Sequence, residues 1–204
     1  MPKNRLRYTT MLGILRNRVS KTVDSIASHI NINPNVITFS GLATSFISLA
    51  FAATGSYIFV IPILVVISGL TDVLDGAVAR VKGKASAWGS IFDSFCDRVT
   101  EANYFISLML LKVNYLLTSL AITVSLLISY LRALGEWRGV KLEGVGILEH
   151  GERMILIFLS FLVIAIDPKK GVQWANILIG ALVLLGIVSS LQRLFKIYQK
   201  LHTR

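Results

Sequence analysis

The chain has 204 residues, of which 54% are hydrophobic and only 16% charged, and its formal net charge is +10. A water-soluble domain of this length is not so apolar, and the apolar residues come in blocks long enough to cross a bilayer. The composition therefore excludes a soluble enzyme and predicts an all-α, polytopic membrane helical bundle. The one cysteine, Cys96, excludes an internal disulfide and is interpreted as a small buried packing residue.

Residues 1–33 form the predicted N-terminal segment. Apolar residues recur every three or four positions over residues 11–30, with basic and acidic residues between them. This spacing predicts an amphipathic helix that is too polar to span a bilayer and lies in the cytoplasmic interface. A helix packed on the rest of the protein is compatible with the same pattern. Pro34 breaks the chain before the first span.

Residues 34–204 form the second predicted unit, a membrane domain with six transmembrane helices. Pro62 lies inside the second span and is expected to kink it, and residues 167–171 are predicted to form a short turn on the outer side. The third span begins with charged residues, so its first turns must face water, metal or protein rather than lipid. The spans are predicted at about 36–55, 57–79, 89–110, 114–132, 153–167 and 174–193.

Lysine and arginine are unequally divided between the two sides of the predicted membrane. Most of the 21 basic residues lie before the first span, in the loops after the second and fourth spans, and in the tail that begins at Arg193. The other side has Lys112, Lys169 and Lys170. This bias predicts that both termini and those two loops are cytoplasmic, in a multi-pass protein of the cell membrane. The positive charge then reflects topology and attraction to anionic membrane lipids, and no nucleic-acid partner is expected.

Four aspartates lie near the cytoplasmic loop between the second and third spans. Asp72 and Asp75 are three residues apart, and Asp93 and Asp97 are four apart, so each pair shares one face of a helix. A carboxylate inside a membrane costs about 2.5–3.5 kcal/mol on insertion scales, so four together need a reason. If the loop reverses the chain, the two faces meet. Divalent cations, Mg²⁺ or Mn²⁺, would then remove the repulsion and allow a diphosphate to bind.

Small and basic residues share the face of the aspartates. Gly76 and Ala79 leave room for a ligand to approach the backbone, and Arg80 can bind a phosphate group through two N–H groups. The alternative is a structural network of ion pairs between the four acids, Arg80 and Arg98. That network would not need small residues on the same face, so the pattern favours metal.

The aspartates belong to a longer pattern, Asp72-x2-Asp75-Gly76-x2-Ala79-Arg80-x8-Gly89-x3-Asp93-x3-Asp97. At every fixed position this pattern resembles the signature of the CDP-alcohol phosphotransferase family. The resemblance implies a homodimeric, six-helix membrane enzyme that transfers the phosphatidyl-type group of a CDP-lipid to a hydroxyl acceptor and releases CMP.

The resemblance also implies a role for each matching residue. All four aspartates bind metal, with two Mg²⁺ ions per active site and Mn²⁺ as the alternative, and Asp97 also acts as the general base. The residues implied to contact the CDP-lipid are Asn35, Val36, Ile37, Thr38, Gly76, Arg80 and Ser86.

The acceptor is predicted from the cytoplasmic ends of spans four and five. Residues 129–136 and 144–153 resemble the inositol-phosphate-using branch of the family, particularly its archaeal members, which use CDP-archaeol rather than CDP-diacylglycerol. The resemblance implies that Ser129, Arg132 and Arg153 bind the phosphate of this phosphorylated polyol. Two residues differ from that branch, since Leu134 replaces an expected basic residue and His150 replaces a frequent arginine. Glycerol phosphate is therefore the alternative acceptor.

Two other classes of membrane protein share part of the pattern. A magnesium-dependent membrane prenyltransferase also combines aspartate-rich motifs with a diphosphate substrate, but usually has more spans and a different aspartate spacing. A divalent-cation transporter would hold its acids near the middle of the bilayer. Here the acids lie beside a basic cytoplasmic loop, which favours the transferase.

Overall fold

The computed structural model describes residues 22–142 and 144–202. Within these residues the chain forms no strand, and six long helices follow one another. A single turn of 3₁₀-helix, Ile58–Val60, precedes the second of them. The all-helical prediction is confirmed. The six helices are α1 (Pro34–Thr54), α2 (Ile61–Val81), α3 (Ala87–Leu110), α4 (Tyr115–Trp137), α5 (His150–Ile166) and α6 (Pro168–His202).

Four of the described helical segments are long and apolar enough to cross a membrane: Pro34–Thr54, Ile58–Val81, Tyr115–Trp137 and Pro168–His202. They confirm a polytopic membrane bundle. The other two helices are α3, which has acidic and basic residues in its first half, and α5, which has 17 residues. The count of six spans therefore stays a prediction.

Two local predictions are wrong. Pro62 is in the first turn of α2 and does not kink a span, because proline lacks the N–H that the first turn of a helix leaves unbonded. Residues 168–171 are not a turn but the start of α6, so Asp167 alone separates α5 from α6. The carboxylate of Asp167 accepts hydrogen bonds from the backbone N–H groups of Lys169 and Lys170, at 3.0 and 3.1 Å, and so caps α6.

Short connections place alternate helix ends at the same end of the bundle. The chain between α2 and α3 is only residues 82–86, and Gly83 takes a left-handed conformation there (φ +64°). The last turns of α2 and the first turns of α3 lie beside the start of α1, because Asn35, Arg80 and Gly89 line one cavity there and Thr38 is hydrogen-bonded to Asp75. The loop therefore reverses the chain as predicted, and both aspartate pairs are at this end.

The core of the bundle lies further from this end. Tyr104 and Phe105 of α3 and Phe161 of α5 are fully buried there, and the rings of Tyr104 and Phe161 pack edge to face at 6.0 Å. Close approach of α1 to α2 depends on Gly41, because a Cβ atom there would overlap the hydroxyl of Thr71. The burial of large apolar side chains below the aspartates holds the ends of the helices in place.

The N-terminal segment packs on the bundle next to the aspartates. Residues 22–29 are helical, whereas the rest of the predicted amphipathic helix up to residue 21 lies outside the described residues. Val23 and Ile30 pack against a small core formed with α1 and α2. The Nζ atom of Lys82 donates hydrogen bonds to the Ser28 carbonyl at 2.7 Å and to Asn31 Oδ1 at 3.0 Å. The segment is thereby tied to the loop between α2 and α3.

Candidate functional site

The aspartates meet in a cleft between α1, α2, α3 and the start of α5, here called the aspartate cleft. Carboxylate oxygens of Asp72, Asp75 and Asp93 lie within 4.8 Å of one another. Thr38 of α1 donates a hydrogen bond from its hydroxyl to Asp75 Oδ2, and both side chains are buried. The structure therefore brings three of the four predicted metal ligands together and fixes one of them from a neighbouring helix.

These three carboxylates fit a divalent cation. Asp93 Oδ1 is buried and accepts no hydrogen bond within the described residues. A buried carboxylate oxygen without a donor is costly, and a hard cation that takes oxygen ligands would remove the cost. No basic side chain of the described residues forms an ion pair with Asp72, Asp75 or Asp93. The structural ion-pair network considered from the sequence is therefore not formed at these three residues.

Asp97 lines the same cleft but lies outside the group of three. Its Oδ2 atom accepts a hydrogen bond from Arg98 at 3.2 Å, and its Oδ1 atom is 4.0 Å from Nε2 of His150. The fourth aspartate is thus one helical turn beyond Asp93, next to Arg98 and His150. Its surroundings differ from those of the other three.

A cavity of about 210 Å³ opens between the start of α1 and the loop between α2 and α3, and is here called the loop cavity. Five of the residues predicted to contact a CDP-lipid line it: Asn35, Thr38, Gly76, Arg80 and Ser86. The other two do not. The side chain of Val36 is 57% exposed on the outer face of α1, and Ile37 is buried in the small core against Ala77. Helical periodicity explains this, since successive residues of α1 point in different directions.

The basic group of the loop cavity lies over a glycine. A Cβ atom at Gly76 would be 3.3 Å from a terminal nitrogen of Arg80, so the small residue makes room for the guanidinium group. Arg80 also lies 3.8 Å from the Asp24 carboxylate of the N-terminal segment. Ser86 caps α3 by accepting a hydrogen bond from the backbone N–H of Gly89 at 3.0 Å.

A larger cavity, about 890 Å³, opens on the other side of the cleft between α3, α4, α5 and α6, and is here called the arginine cavity. Ser129, Arg132 and Arg153, the predicted acceptor residues, all line it. Arg98 also lines it and donates a hydrogen bond to the Ser129 hydroxyl at 2.5 Å. The structure thus gathers the three predicted residues in one cavity, which is lined by four arginines and four carboxylates.

The arginines of this cavity differ in how freely they can bind a ligand. Arg132 is half exposed and pairs with Glu136 at 3.0 Å, one turn further along α4. Arg153 is buried, and its guanidinium group donates two hydrogen bonds to the carboxylate of Glu101. A surface pair exchanges readily with a bound anion, whereas a buried bidentate pair does not.

The sequence analysis assigns no role in the site to three residues of this region. Arg193 is predicted to begin a cytoplasmic tail, but it is buried within α6, lines the arginine cavity and donates hydrogen bonds to the carbonyls of Ile128 and Val145 at 2.9 Å. Glu101 and Arg153 form a buried pair, and the partly exposed His150 lies next to it. The signal for Arg193 is its position at the end of an apolar block on the same side as the aspartates.

Comparison with known proteins decides which family has this arrangement. The profile of the CDP-alcohol phosphatidyltransferase family matches residues 31–188. The chain belongs to the CDP-alcohol phosphatidyltransferase family. It is 34% identical over 195 residues to the archaetidylinositol phosphate synthase of Aeropyrum pernix, covering 94% of this chain and 93% of that protein. It is also 34% identical to the archaetidylinositol phosphate synthase of Methanothermobacter thermautotrophicus, covering 94% and 96% of the two chains.

Solved structures share the fold. The crystal structure of Mycobacterium tuberculosis phosphatidylinositol phosphate synthase with CDP-DAG bound matches with a TM-score of 0.74 and 24% identity, covering 89% of this chain and 94% of that one. The profile match and the two archaeal relatives confirm the predicted family, and the protein is a membrane-embedded CDP-alcohol phosphotransferase. The prenyltransferase and transporter alternatives are excluded as its main class.

Proposed function

We propose that this enzyme transfers the lipid-phosphate group of a CDP-lipid to inositol phosphate and releases CMP. One observation carries the proposal: Asp93 lines the aspartate cleft, the loop cavity and the arginine cavity. A CDP group in the loop cavity and an acceptor in the arginine cavity would therefore meet at the carboxylates. The names of the archaeal relatives support inositol phosphate as acceptor and CDP-archaeol as lipid substrate, and the mycobacterial structure supports a CDP-lipid.

The residues of the chain divide between the two substrates. Arg80, with Asn35, Gly76 and Ser86 around it, would hold the CDP part, and Val36 and Ile37 would contribute only backbone at the start of α1. Thr38 keeps Asp75 in place. Ser129 and Arg132 would bind the acceptor phosphate, and Arg153 and Arg193 line the same cavity.

The divalent cation is part of the proposal. Asp72, Asp75 and Asp93 would hold it, with Asp97 as a ligand from the next turn, and a mycobacterial relative was solved with manganese and citrate. Two Mg²⁺ or Mn²⁺ ions bound here would neutralise the diphosphate and polarise its phosphorus. Asp97 would take the proton of the acceptor hydroxyl while the oxygen of that hydroxyl bonds to the lipid-bearing phosphorus. The bond from that phosphorus to CMP breaks in the same step, and CMP leaves.

The decisive experiment measures CMP release from purified protein with CDP-archaeol, Mg²⁺ and one acceptor at a time. Inositol phosphate, glycerol phosphate, inositol and serine form the panel, and CDP-diacylglycerol replaces CDP-archaeol in a second series. We expect release with inositol phosphate and not with unphosphorylated inositol, because the arginine cavity provides for an anionic group. Release with glycerol phosphate alone would overturn the acceptor assignment.

We further propose that the protein works as a homodimer with six spans, residues 1–33 forming a cytoplasmic segment and residues 34–204 the membrane domain. The basic residues on one side of the helices support the orientation. In a Cys96→Ser background, Ser86→Cys should react with a membrane-impermeant maleimide only after the cells are opened. Asn114→Cys should react in intact cells. Light scattering in detergent would measure the mass of the complex.

A further inference from the structure

We propose that His150 contacts the acceptor directly and holds its hydroxyl group against Asp97. The inference rests on the proposed function, because it concerns the acceptor of that reaction. Three side chains line both the aspartate cleft and the arginine cavity: Asp93, Asp97 and His150. The first two are proposed as metal ligand and base, which leaves His150 as the third group where the reacting hydroxyl must lie.

The distance between His150 and Asp97 supports a bridging ligand. Nε2 of His150 lies 4.0 Å from Oδ1 of Asp97, which is too far for a hydrogen bond between them. An oxygen atom between the two can lie at about 2.8 Å from each. A hydroxyl there would accept a hydrogen bond from the imidazole N–H and direct its own proton to the carboxylate.

Arg153 and Glu101 lie next to the other ring nitrogen of His150. Nδ1 lies 3.5 Å from the guanidinium nitrogen Nη2 of Arg153 and 3.8 Å from Oε2 of Glu101. Glu101 is buried and also accepts a hydrogen bond from Ser125 at 3.0 Å. The guanidinium group of Arg153 is the nearer of the two and can donate to Nδ1, which leaves the N–H on Nε2, the nitrogen that faces Asp97. A donor that already faces the ligand loses little freedom when the ligand binds.

The backbone at His150 is fixed as well. His150 is the first residue of α5, and Glu149 and Glu152 form a capping box around it, in which the Glu149 N–H donates to Glu152 Oε2 at 3.0 Å. The side chain of His150 is still 27% exposed, so a ligand in the cavity can reach it. The position is therefore both rigid and accessible.

The simpler interpretation is that His150 only stabilises the ion-pair cluster of Glu101 and Arg153. That interpretation predicts lower thermal stability on substitution, with no selective effect on the acceptor. A direct contact predicts a change in the KM of the acceptor while the KM of the CDP-lipid and the Mg²⁺ concentration for half-activation stay the same. The two interpretations are separated by measuring all three quantities together with thermal unfolding.

The experiment compares His150→Phe, which keeps a planar ring without a donor, with His150→Gln, which keeps a side-chain N–H. The matched control is His202→Phe, the same change at the exposed end of α6. On the acceptor that the wild-type enzyme uses, we expect the KM to rise about tenfold in His150→Phe, as for one lost hydrogen bond to a ligand, and less in His150→Gln. The control should match the wild type.

An unchanged acceptor KM in His150→Phe, or equal rises for acceptor and CDP-lipid, would overturn the contact. If His150→Phe does not fold, His150→Ala is measured in its place. A wild-type enzyme that uses glycerol phosphate instead of inositol phosphate would refute the proposed acceptor, and the KM comparison on glycerol phosphate would still decide the role of His150.

Discussion

Arg153 binds Glu101 through two hydrogen bonds, from Nε to Oε1 at 2.5 Å and from Nη2 to Oε2 at 3.1 Å. Both side chains are buried between α3 and α5. The resemblance to the inositol-phosphate branch predicts that Arg153 binds the acceptor phosphate. In the structure its guanidinium group donates hydrogen bonds to the Glu101 carboxylate instead. Arg153 lines the arginine cavity while both of these hydrogen bonds go to Glu101. The pair therefore contributes to the stability of the folded protein, and this contribution can be measured separately from binding of the acceptor.

We expect Arg153→Leu to destabilise the protein by about 3–5 kcal/mol, because it leaves the Glu101 carboxylate buried without its main partner. Thermal unfolding in detergent measures the effect. Replacing both residues by leucine should restore much of the stability but not the activity. The contrary result, a single variant as stable as the wild type, would mean that Glu101 is not held mainly by Arg153.

The sequence predicts the aspartate site because the information there is local. Three- and four-residue spacings define a helix face, and the five-residue loop with Gly83 can only reverse the chain. The meeting of Asp72, Asp75 and Asp93 follows from these two facts. Thr38 could be assigned to the site only through the resemblance, since its bond to Asp75 joins residues 37 positions apart.

The arginine cavity could not be predicted in the same way. Its walls come from four helices, and which face of each helix turns inward depends on packing along the whole bundle. Arg193 has the sequence position of a tail residue because the apolar block ends there, yet α6 continues to His202 and buries it. Val36 and Ile37 fail for the opposite reason, since a matching motif marks a segment but not the direction of each side chain.

Arg132 offers a test of the acceptor site with a matched control. Arg132→Gln should raise the acceptor KM by about tenfold or more, because a charge-assisted hydrogen bond to a phosphate is lost, and should leave the KM of the CDP-lipid unchanged. The control is Arg138→Gln, since Arg138 is exposed, stacks on Trp137 and does not line the cavity. Initial rates of CMP release give both constants. Equal effects of the two changes would remove Arg132 from the site.

Asp93 tests the metal. Chelation by EDTA should abolish CMP release, and added Mg²⁺ or Mn²⁺ should restore it. In Asp93→Asn we expect the cation concentration for half-activation to rise at least about tenfold, since an amide is a weaker ligand for a hard cation than a carboxylate. In EDTA the variant should unfold at or above the wild-type temperature, because the buried Oδ1 atom has no donor within the described residues. Full activity in EDTA would refute metal dependence.

Substitution of Gly171 tests the close packing of α5 against α6. A Cβ atom there would overlap the Val163 carbonyl and lie 2.6 Å from Cα of Ile164, and these backbone atoms cannot move aside without separating the helices. We expect Gly171→Ala to cost at least about 2 kcal/mol through overpacking. Gly180→Ala is the control on the same helix, since its Cβ atom would meet no atom within 4 Å. Thermal unfolding should separate the two variants, and similar midpoints would contradict the close approach of the two helices.

Asp97 tests the division of labour among the aspartates. Asp97→Asn keeps the size of the side chain and its contact with Arg98 but removes the basic oxygen, so we expect a folded protein that binds CDP-lipid and releases CMP at least about a hundredfold more slowly. Binding is measured by titration with CDP-lipid, and turnover by CMP release at saturating acceptor. A variant that turns over near the wild-type rate would show that another group is the base. Asp93 would be the next to test, because it lines the arginine cavity together with Asp97 and also lines the loop cavity.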